Sequence, residues 1–140
     1  LIGDIQENGY SMEEMKMVWE TRKIFEDELI QVNPTCVRIP VFFGHSEALH
    51  IETKKAISAA QATELLASAP GVEVIDERLG PDFPTPVRDA AGTDPVFVGR
   101  IRKDVSTKSG LNLWVVSDNV RKGAALNSIQ IAEILITHLQ

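Results

Sequence analysis

The sequence predicts an α+β fold with a mixed, largely antiparallel sheet and helices packed on one face of that sheet. Short apolar runs typical of strands outnumber the helical segments along the chain. The helices do not alternate strictly with the strands, as they would in a parallel α/β sheet. The chain has 140 residues, enough for one domain with a real core, since a chain of this size buries roughly two-thirds of its unfolded surface.

The amino-terminal part is predicted to hold one helix and two strands. Residues 11–27 favour a helix, because Ser11 and Glu14 have the spacing of a capping box and an apolar stripe follows them. Residues 36–43 alternate apolar side chains with a period of two, which predicts a strand. Residues 47–53 predict a second strand after a glycine break.

The middle of the chain is predicted to complete the sheet. Residues 58–69 predict a helix, stopped by a Pro-Gly pair, and residues 72–75 predict a short strand. Residues 96–103 and 111–117 predict two antiparallel strands with a turn around residues 109–110.

Two further segments have less regular signals. Residues 80–95 hold four prolines and two glycines, and an irregular segment of this length is either a functional loop or a mobile one. The final helix is predicted to begin near residues 119–123 and to end near His138. Its predicted buried face consists of Ala125, Ile129, Ala132 and Ile136.

The composition excludes several classes of protein. The net charge is −6, from 14 basic and 20 acidic residues, which disfavours nucleic acid or an anionic membrane as the main partner. No apolar run approaches the ~20 residues of a membrane span, and no signal peptide opens the sequence. Cys36 is the only cysteine, which rules out an internal disulfide framework and suits a reducing cytoplasm.

Arg38 stands out because it interrupts an apolar run. On the predicted strand it shares a face with Cys36, Pro40 and Phe42, so it is not expected to be fully solvated. A buried guanidinium needs an anionic partner, since an unpaired buried charge is very costly. The residues alone leave two interpretations open: a structural ion pair, or a clamp for a carboxylate or phosphate ligand.

His45 directly follows Gly44 at the end of the same predicted strand. Catalytic side chains concentrate on loops that a rigid strand positions, and histidine is the usual general acid or base. The alternative is an ordinary surface or hydrogen-bonded histidine.

Glu13 and Lys16 are three residues apart on the first predicted helix and therefore lie on one face. Because Glu14 belongs to the capping box, Glu13 is the acid that remains available for a ligand. The alternative is a solvated ion pair between Glu13 and Lys16.

Cys36 is not expected to act as a nucleophile with His45. An extended strand would separate them by about 30 Å, at ~3.3 Å per residue, so a small buried apolar role is the better interpretation. The spacing of Cys36, His45 and His50 fits no zinc motif either. No metal cofactor is expected.

Residues 118–125 read DNVRKGAA and open the last helix. The small residues after Arg-Lys leave room for a ligand or another backbone, and the free amides of a helix start favour anions. The alternative is close helix packing with Asn119 as the cap. The sequence contains no glycine-rich nucleotide loop of the G-x-G-x-x-G or G-x-x-x-x-G-K-[ST] type.

Taken in order, four blocks resemble one enzyme family across nearly all 140 residues. They are EEMKMVWETRKI (13–24), CVRIPVFFGHSEALHIET (36–53), FPTPVRDAAGTDPVFVGRIRKD (83–104) and GLNLWVVSDNVRKGAALNSIQIAE (110–133). They are similar to the carboxy-terminal part of aspartate-β-semialdehyde dehydrogenase. The resemblance implies a catalytic and dimerisation domain like that of glyceraldehyde-3-phosphate dehydrogenase.

The resemblance also implies a reaction. The family makes L-aspartate 4-semialdehyde from aspartyl phosphate, with NADPH as hydride donor and phosphate as the released group. The product leads to diaminopimelate, lysine, threonine and methionine. In this reaction a cysteine thiolate displaces phosphate to give a thioester, which hydride then reduces.

Four residues are implied to serve the substrate. Arg38 resembles the arginine that clamps the α-carboxylate, and Glu13 the acid that meets the amino group. Lys16 resembles the lysine of the phosphate site. His45 resembles the acid/base histidine that serves the thiol and the tetrahedral intermediate.

Asn119, just before the RKGAA turn, and Gly123 are implied to contact NADP. The family's NADP-binding domain and its nucleophilic cysteine, in an Asn-Cys context, lie upstream of the matched blocks, so Cys36 is not that cysteine. Residues 1–140 are therefore implied to be the carboxy-terminal part of the catalytic and dimerisation domain plus the final cofactor-side helix.

Two functions stay open. The chain is either the carboxy-terminal portion of a cytoplasmic, homodimeric or tetrameric enzyme, inactive without its missing part, or a non-catalytic dimerising or ligand-binding fragment or paralogue. Its start at Leu1 and the opening LIGDIQENGY favour a piece of a longer protein. A domain boundary chosen for cloning would look the same.

Overall fold

A computed structural model describes residues 3–76 and 82–139. The chain forms two compact units, Leu1–Pro40 and Val41–Gln140, and each is described by itself.

The first unit is built on helix α1, Met12–Phe25. The capping box is present: Ser11 accepts from the amide of Glu14, and the Glu14 side chain accepts from the amide of Ser11. Glu26 caps the end of the helix, and its φ of 51° places it in the left-handed region. The predicted first helix is confirmed, and it ends two residues earlier than expected.

The predicted strand over residues 36–43 is wrong. Among residues 3–76 and 82–139 no strand pairs with this segment, which has no regular hydrogen-bonded structure. Pro40 lacks an amide hydrogen, so the segment cannot donate a complete ladder. Phe42 is 96% exposed. The alternating pattern was real, but alternation alone does not form a strand without a partner.

The second unit contains a four-stranded sheet in the order β1-β4-β3-β2. The strands are His45–Glu52 (β1), Val72–Val74 (β2), Val96–Lys103 (β3) and Gly110–Ser117 (β4). The pairs β1/β4 and β3/β4 are antiparallel and β2/β3 is parallel. The predicted mixed, largely antiparallel sheet is confirmed, and β1 begins two residues earlier than predicted.

One face of the sheet packs against helix α2, Ala59–Ala67, which has its own capping box from Ser58 and Gln61. Ala62 of this helix joins a buried apolar cluster with four strand residues: Val98, Ile101, Leu111 and Leu113. The prediction of a helix packed on one sheet face is therefore confirmed for α2.

The β3–β4 connection depends on Asp104, which is almost completely buried. Its carboxylate accepts from the amide and hydroxyl of Ser106 and from the hydroxyl of Thr107. His50 Nε2 lies 2.6 Å from Asp104 Oδ2 and ties β1 to this turn. These contacts, with those of the Ser106 amide the largest, lower the pKa of Asp104. No local pattern in the sequence predicts this hydrogen-bond network.

The opposite sheet face is covered by a short, wide helical turn, Pro86–Ala90. Ala90 is fully buried beside Phe97 and Val116. Trp114 Nε1 donates to the carbonyl oxygen of Pro84 at 2.8 Å. The described part of the predicted 80–95 loop, from residue 82 onward, is thus anchored to the sheet. Residues 80 and 81 lie outside the described residues.

The last helix, α3, spans Leu126–His138 and follows a π-type turn at Arg121–Ala125. Its predicted buried face is wrong for this chain, because none of the residues in either element is buried. Ile129 and Ile136 are more than half exposed. The helical spacing was read correctly, but spacing identifies an apolar face without saying what covers it.

Candidate active site

Glu13 and Lys16 form an ion pair on the first turns of α1 in the first unit. Lys16 Nζ lies 3.1 Å from Glu13 Oε1, and both side chains are nearly half exposed. Such a solvated pair contributes little to stability, so either partner can be recruited by a charged ligand at small cost. The predicted proximity of the two side chains is confirmed, and a ligand role for them stays a prediction.

Glu14, the neighbouring acid, is 6% exposed. Its Oε2 accepts from the amide of Ser11 at 2.7 Å and its Oε1 accepts from the amide of Cys36 at 2.9 Å. These two backbone hydrogen bonds, that from Ser11 first, hold the pKa of Glu14 below its ordinary value. The carboxylate therefore stays ionised and fastens the Cys36 segment to the start of α1.

Arg38 lies two residues beyond this anchor and is exposed. The expectation that it is shielded on a strand face is wrong, because the strand does not form. Within residues 3–40 it makes no ion pair, so the structural ion-pair interpretation gains no support in this unit. Cys36 itself is half-buried rather than buried, with its Sγ 3.4 Å from Met17 Sδ.

His45 begins strand β1 in the second unit, opposite Ser117 at the end of β4. The chain leaves β4 directly into Asp118 and Asn119, so the antiparallel register places these residues beside the start of β1. Asn119 Oδ1 accepts from the amide of Gly44 at 2.7 Å. This hydrogen bond fixes the peptide immediately before His45.

Gly44 has a φ of +102°, a conformation that L side chains rarely adopt. A Cβ at this position would lie 2.6 Å from Pro86 Cβ. Gly123 lies beside His45, since a Cβ there would lie 3.5 Å from His45 Nε2, an ordinary van der Waals contact. The His45 side chain thus borders Gly123 and is otherwise exposed.

Asp118 organises the backbone around this corner and is 3% exposed. Its Oδ1 accepts from the amides of Val120 and Arg121, and its Oδ2 accepts from the amide of Gly92 at 2.8 Å. The hydrogen bonds from Arg121 and then Gly92 lower its pKa. The alternative interpretation that made Asn119 the cap of this helix start is wrong: Asp118 accepts from the first amides, and Asn119 accepts from Gly44.

The structure therefore gathers the predicted residues into two groups. Glu13, Lys16 and Arg38 belong to the first unit, whereas His45, Asn119 and Gly123 meet in the second. Sequence reasoning missed Asp118 and the second hydrogen bond of Glu14, because both join segments that are distant in the sequence. Within the described ranges, no cluster of His, Cys, Asp and Glu could hold a metal ion, and no helix is long and apolar enough to cross a membrane.

The chain is similar to solved structures of dehydrogenases. The crystal structure of aspartate semialdehyde dehydrogenase II from Vibrio cholerae, complexed with ASA, is 58% identical with a TM-score of 0.94, covering 98% of this chain and 40% of that chain. A probable aspartate-semialdehyde dehydrogenase from Pseudomonas aeruginosa is 37% identical with a TM-score of 0.90, covering 99% of this chain and 41% of that chain. The fold thus defines an α+β domain of the dehydrogenase type.

Residues 1–122 match the family described as semialdehyde dehydrogenase, dimerisation domain. The chain belongs to this family. The aspartate-semialdehyde dehydrogenase of Legionella pneumophila is 60% identical over 134 residues, or 96% of this chain and 39% of the relative. That of Shewanella sp. (strain DB6705) is 61% identical over 135 residues, again 96% and 39%. The chain corresponds to the carboxy-terminal portion of these proteins and spans about 39% of their length.

Proposed function

We propose that this chain forms the carboxy-terminal part of the catalytic and dimerisation domain, with the final cofactor-side helix, of an NADP-dependent aspartate-semialdehyde dehydrogenase. The enzyme would reduce aspartyl phosphate to L-aspartate 4-semialdehyde and release phosphate, a step toward diaminopimelate, lysine, threonine and methionine. The observation that carries the proposal is the His45 corner. There, a hydrogen bond from Gly44 to Asn119 fixes the peptide before the exposed His45, in a chain 60% identical to such an enzyme.

In this proposal the first unit binds the substrate. The guanidinium of Arg38 pairs with the α-carboxylate, for which its planar donors are well matched. Glu13 accepts from the α-ammonium group, and Lys16 pairs with the phosphate. The exposed Glu13–Lys16 ion pair supports the roles of both residues. On binding, Glu13 would exchange the solvated Lys16 for the substrate ammonium group, and Lys16 would exchange Glu13 for the phosphate.

His45 moves the proton. The ring takes a proton from the attacking thiol, supplied by a part of the enzyme upstream of this chain, and stabilises the tetrahedral intermediate that follows. Because the nucleophile is not Cys36, the chain alone is expected to be inactive. The hydrogen bond that fixes the peptide before His45 supports this role, since a general base must be held within hydrogen-bonding reach of the proton it takes.

The residues at the corner fit the predicted nicotinamide cofactor. The carboxamide oxygen of Asn119 accepts from the amide of Gly44, so in this proposal its NH2 group donates to the carboxamide oxygen of the cofactor. When bound, NADPH supplies the hydride of the reaction. Asn119 and Gly123 would border it, and the rest of its site would lie outside this chain.

The enzyme is proposed to be cytoplasmic and to act as a homodimer or tetramer. The family is described as a dimerisation domain, which supports self-association. Cys36 is the only cysteine of the sequence, which is in keeping with a reducing compartment. No metal is proposed to take part.

The test joins this chain to the amino-terminal part of the Legionella pneumophila relative in place of the matching segment; we term the product the joined enzyme. Phosphate-dependent reduction of NADP with aspartate semialdehyde is measured for the joined enzyme and for the chain alone. The proposal is supported if the joined enzyme turns over, if His45→Ala abolishes this turnover, and if the chain alone shows no activity. A folded joined enzyme without turnover contradicts it.

A further inference from the structure

The carboxylate of Glu14 makes one more hydrogen bond than helix capping requires. One oxygen completes the capping box with the amide of Ser11, and the other accepts from the amide of Cys36, which is 22 residues away in the chain. The side chain is almost completely buried. A buried carboxylate that bridges two backbone amides holds them at a fixed separation.

The second capping box of the chain provides the comparison. At the start of α2, Gln61 Oε1 accepts from the amide of Ser58 at 3.0 Å, and among residues 3–76 and 82–139 that box caps its helix without any long-range hydrogen bond from Gln61. Glutamine is thus sufficient to close a capping box. The second acceptor oxygen of Glu14 is needed only for the contact to Cys36.

The anchored segment has no regular structure of its own from residue 31 to residue 40. Its contacts in the first unit include the Glu14 hydrogen bond and the Met17 contact at Cys36, the buried ring of Pro34, and a hydrogen bond from Tyr10 Oη to Asn33 Oδ1. Arg38 follows the first of these contacts by two residues. Glu13 adjoins Glu14 on the helix side.

We propose that Glu14 is a positioning residue: its carboxylate fixes the Cys36–Arg38 segment to the start of α1, so that Arg38 and Glu13 can engage one amino acid together. This inference rests on the proposed function. The α-carboxylate and α-ammonium groups of the substrate share one carbon atom, so the guanidinium and the acid that bind them must keep a fixed spacing. Glu14 is bonded to both sides of that spacing, through the chain to Glu13 and through Cys36 to Arg38.

The test compares four variants in the joined enzyme. Glu14→Gln keeps the size of the side chain but leaves one acceptor for two amides, and Glu14→Asp keeps the charge at the helix start but is too short to bridge. Ser11→Ala and Gln61→Ala are the controls. The first weakens the same cap without touching the Cys36 contact, and the second opens the other capping box.

Both Glu14 variants are expected to raise KM for aspartate semialdehyde about tenfold, because small misplacements of binding groups are costly, with KM for NADP unchanged. Both controls are expected to stay within about twofold of the parent, as for a local cap change. Amide hydrogen exchange at Cys36 in the chain alone should accelerate in the Glu14 variants and not in Gln61→Ala. Circular dichroism checks that each variant keeps its helices.

The inference is overturned if the Glu14 variants show the same KM as Ser11→Ala, or if the Cys36 amide stays equally protected in them. Arg38→Ala separates this failure from a failure of the proposed function. If Arg38→Ala raises KM for aspartate semialdehyde and the Glu14 variants do not, only the positioning role is wrong. If Arg38→Ala has no effect on that KM, the substrate clamp is wrong and the role of Glu14 falls with it.

Discussion

Gly44→Ala is expected to destabilise the second unit and to displace His45. Gly44 has a φ of +102°, and forcing an L side chain into the left-handed region costs about 1–2 kcal/mol. The added Cβ would lie 2.6 Å from Pro86 Cβ, and overpacking of this kind costs about 1–3 kcal/mol. The two effects together lower the free energy of unfolding by about 2–5 kcal/mol.

Gly71→Ala is the matched control. Gly71 also has a positive φ, +72°, but an added Cβ there would meet no atom within 4 Å. It therefore carries only the conformational cost, about 1–2 kcal/mol. The difference between the two variants isolates the contact with Pro86.

Urea unfolding of the chain, followed by circular dichroism, measures both variants. With a slope of about 1.5 kcal/mol per M, Gly44→Ala lowers the midpoint by about 1–3 M and Gly71→Ala by about 1 M. Equal midpoints for the two variants, or a loss below about 0.5 kcal/mol for Gly44→Ala, a typical surface value, would refute the reasoning. In the joined enzyme, Gly44→Ala is also expected to lower kcat, because His45 is the next residue.

Three further substitutions test other contacts of the second unit. Asn119→Ala leaves the amide of Gly44 without its acceptor and should lower the free energy of unfolding by about 1–2 kcal/mol. Asn119→Asp keeps an acceptor oxygen and should restore that stability. An Asn119→Ala variant as stable as the parent would contradict the contact. The pKa of Asp118 is lowered in the folded chain. The ionised carboxylate therefore adds to the stability of the fold above its ordinary pKa of 3.8, and this added stability is lost as the pH falls through the lower folded value. Urea unfolding between about pH 3 and pH 6 should therefore show a free energy of unfolding that decreases as the pH falls, and the decrease should be smaller in Asp118→Asn. The same pH dependence in the variant and the parent would contradict this role of Asp118. Leu111→Ala in the buried cluster should lower the free energy of unfolding by about 2–5 kcal/mol. Leu65→Ala on the exposed side of α2 is the control and should lower it far less. Similar losses of stability in the two variants would contradict the observed packing.

The sequence predicted the elements whose defining contacts are between residues close together in the chain. The predicted capping box at Ser11 is contained within four residues, and α1 begins where it places the start. The helix predicted over residues 58–69 is also confirmed, and its capping box at Ser58 is equally local. The β3–β4 pair was predictable for the same reason, because two alternating runs with a turn between them find each other along the chain.

Elements that need a distant partner were predicted less well. Residues 36–43 alternate like a strand, yet no described strand pairs with them. The apolar residues of α3 were correctly placed on a helix, but their burial depends on surfaces that this chain does not bring to them. Alternation and helical spacing report which side chains are apolar, whereas pairing and burial depend on the tertiary structure.

The candidate site shows the same division. The sequence identified Arg38, His45 and Glu13 as unusual side chains in their local context. It did not identify the long-range hydrogen bonds that hold them, such as that of Glu14 with Cys36 and that of Asn119 with Gly44. A carboxylate and a carboxamide are common residues, and nothing in their neighbours indicates a partner 22 or 75 positions away.

The central claim, that this chain supplies the substrate clamps of an aspartate-semialdehyde dehydrogenase, is tested most directly by measuring KM for both substrates in two variants of the joined enzyme. Arg38→Ala is predicted to raise KM for aspartate semialdehyde and to leave KM for phosphate near the parent value. Lys16→Ala is predicted to do the reverse. If neither KM changes in either variant, or if both change equally in both, these residues do not divide the substrate between them and the account is contradicted.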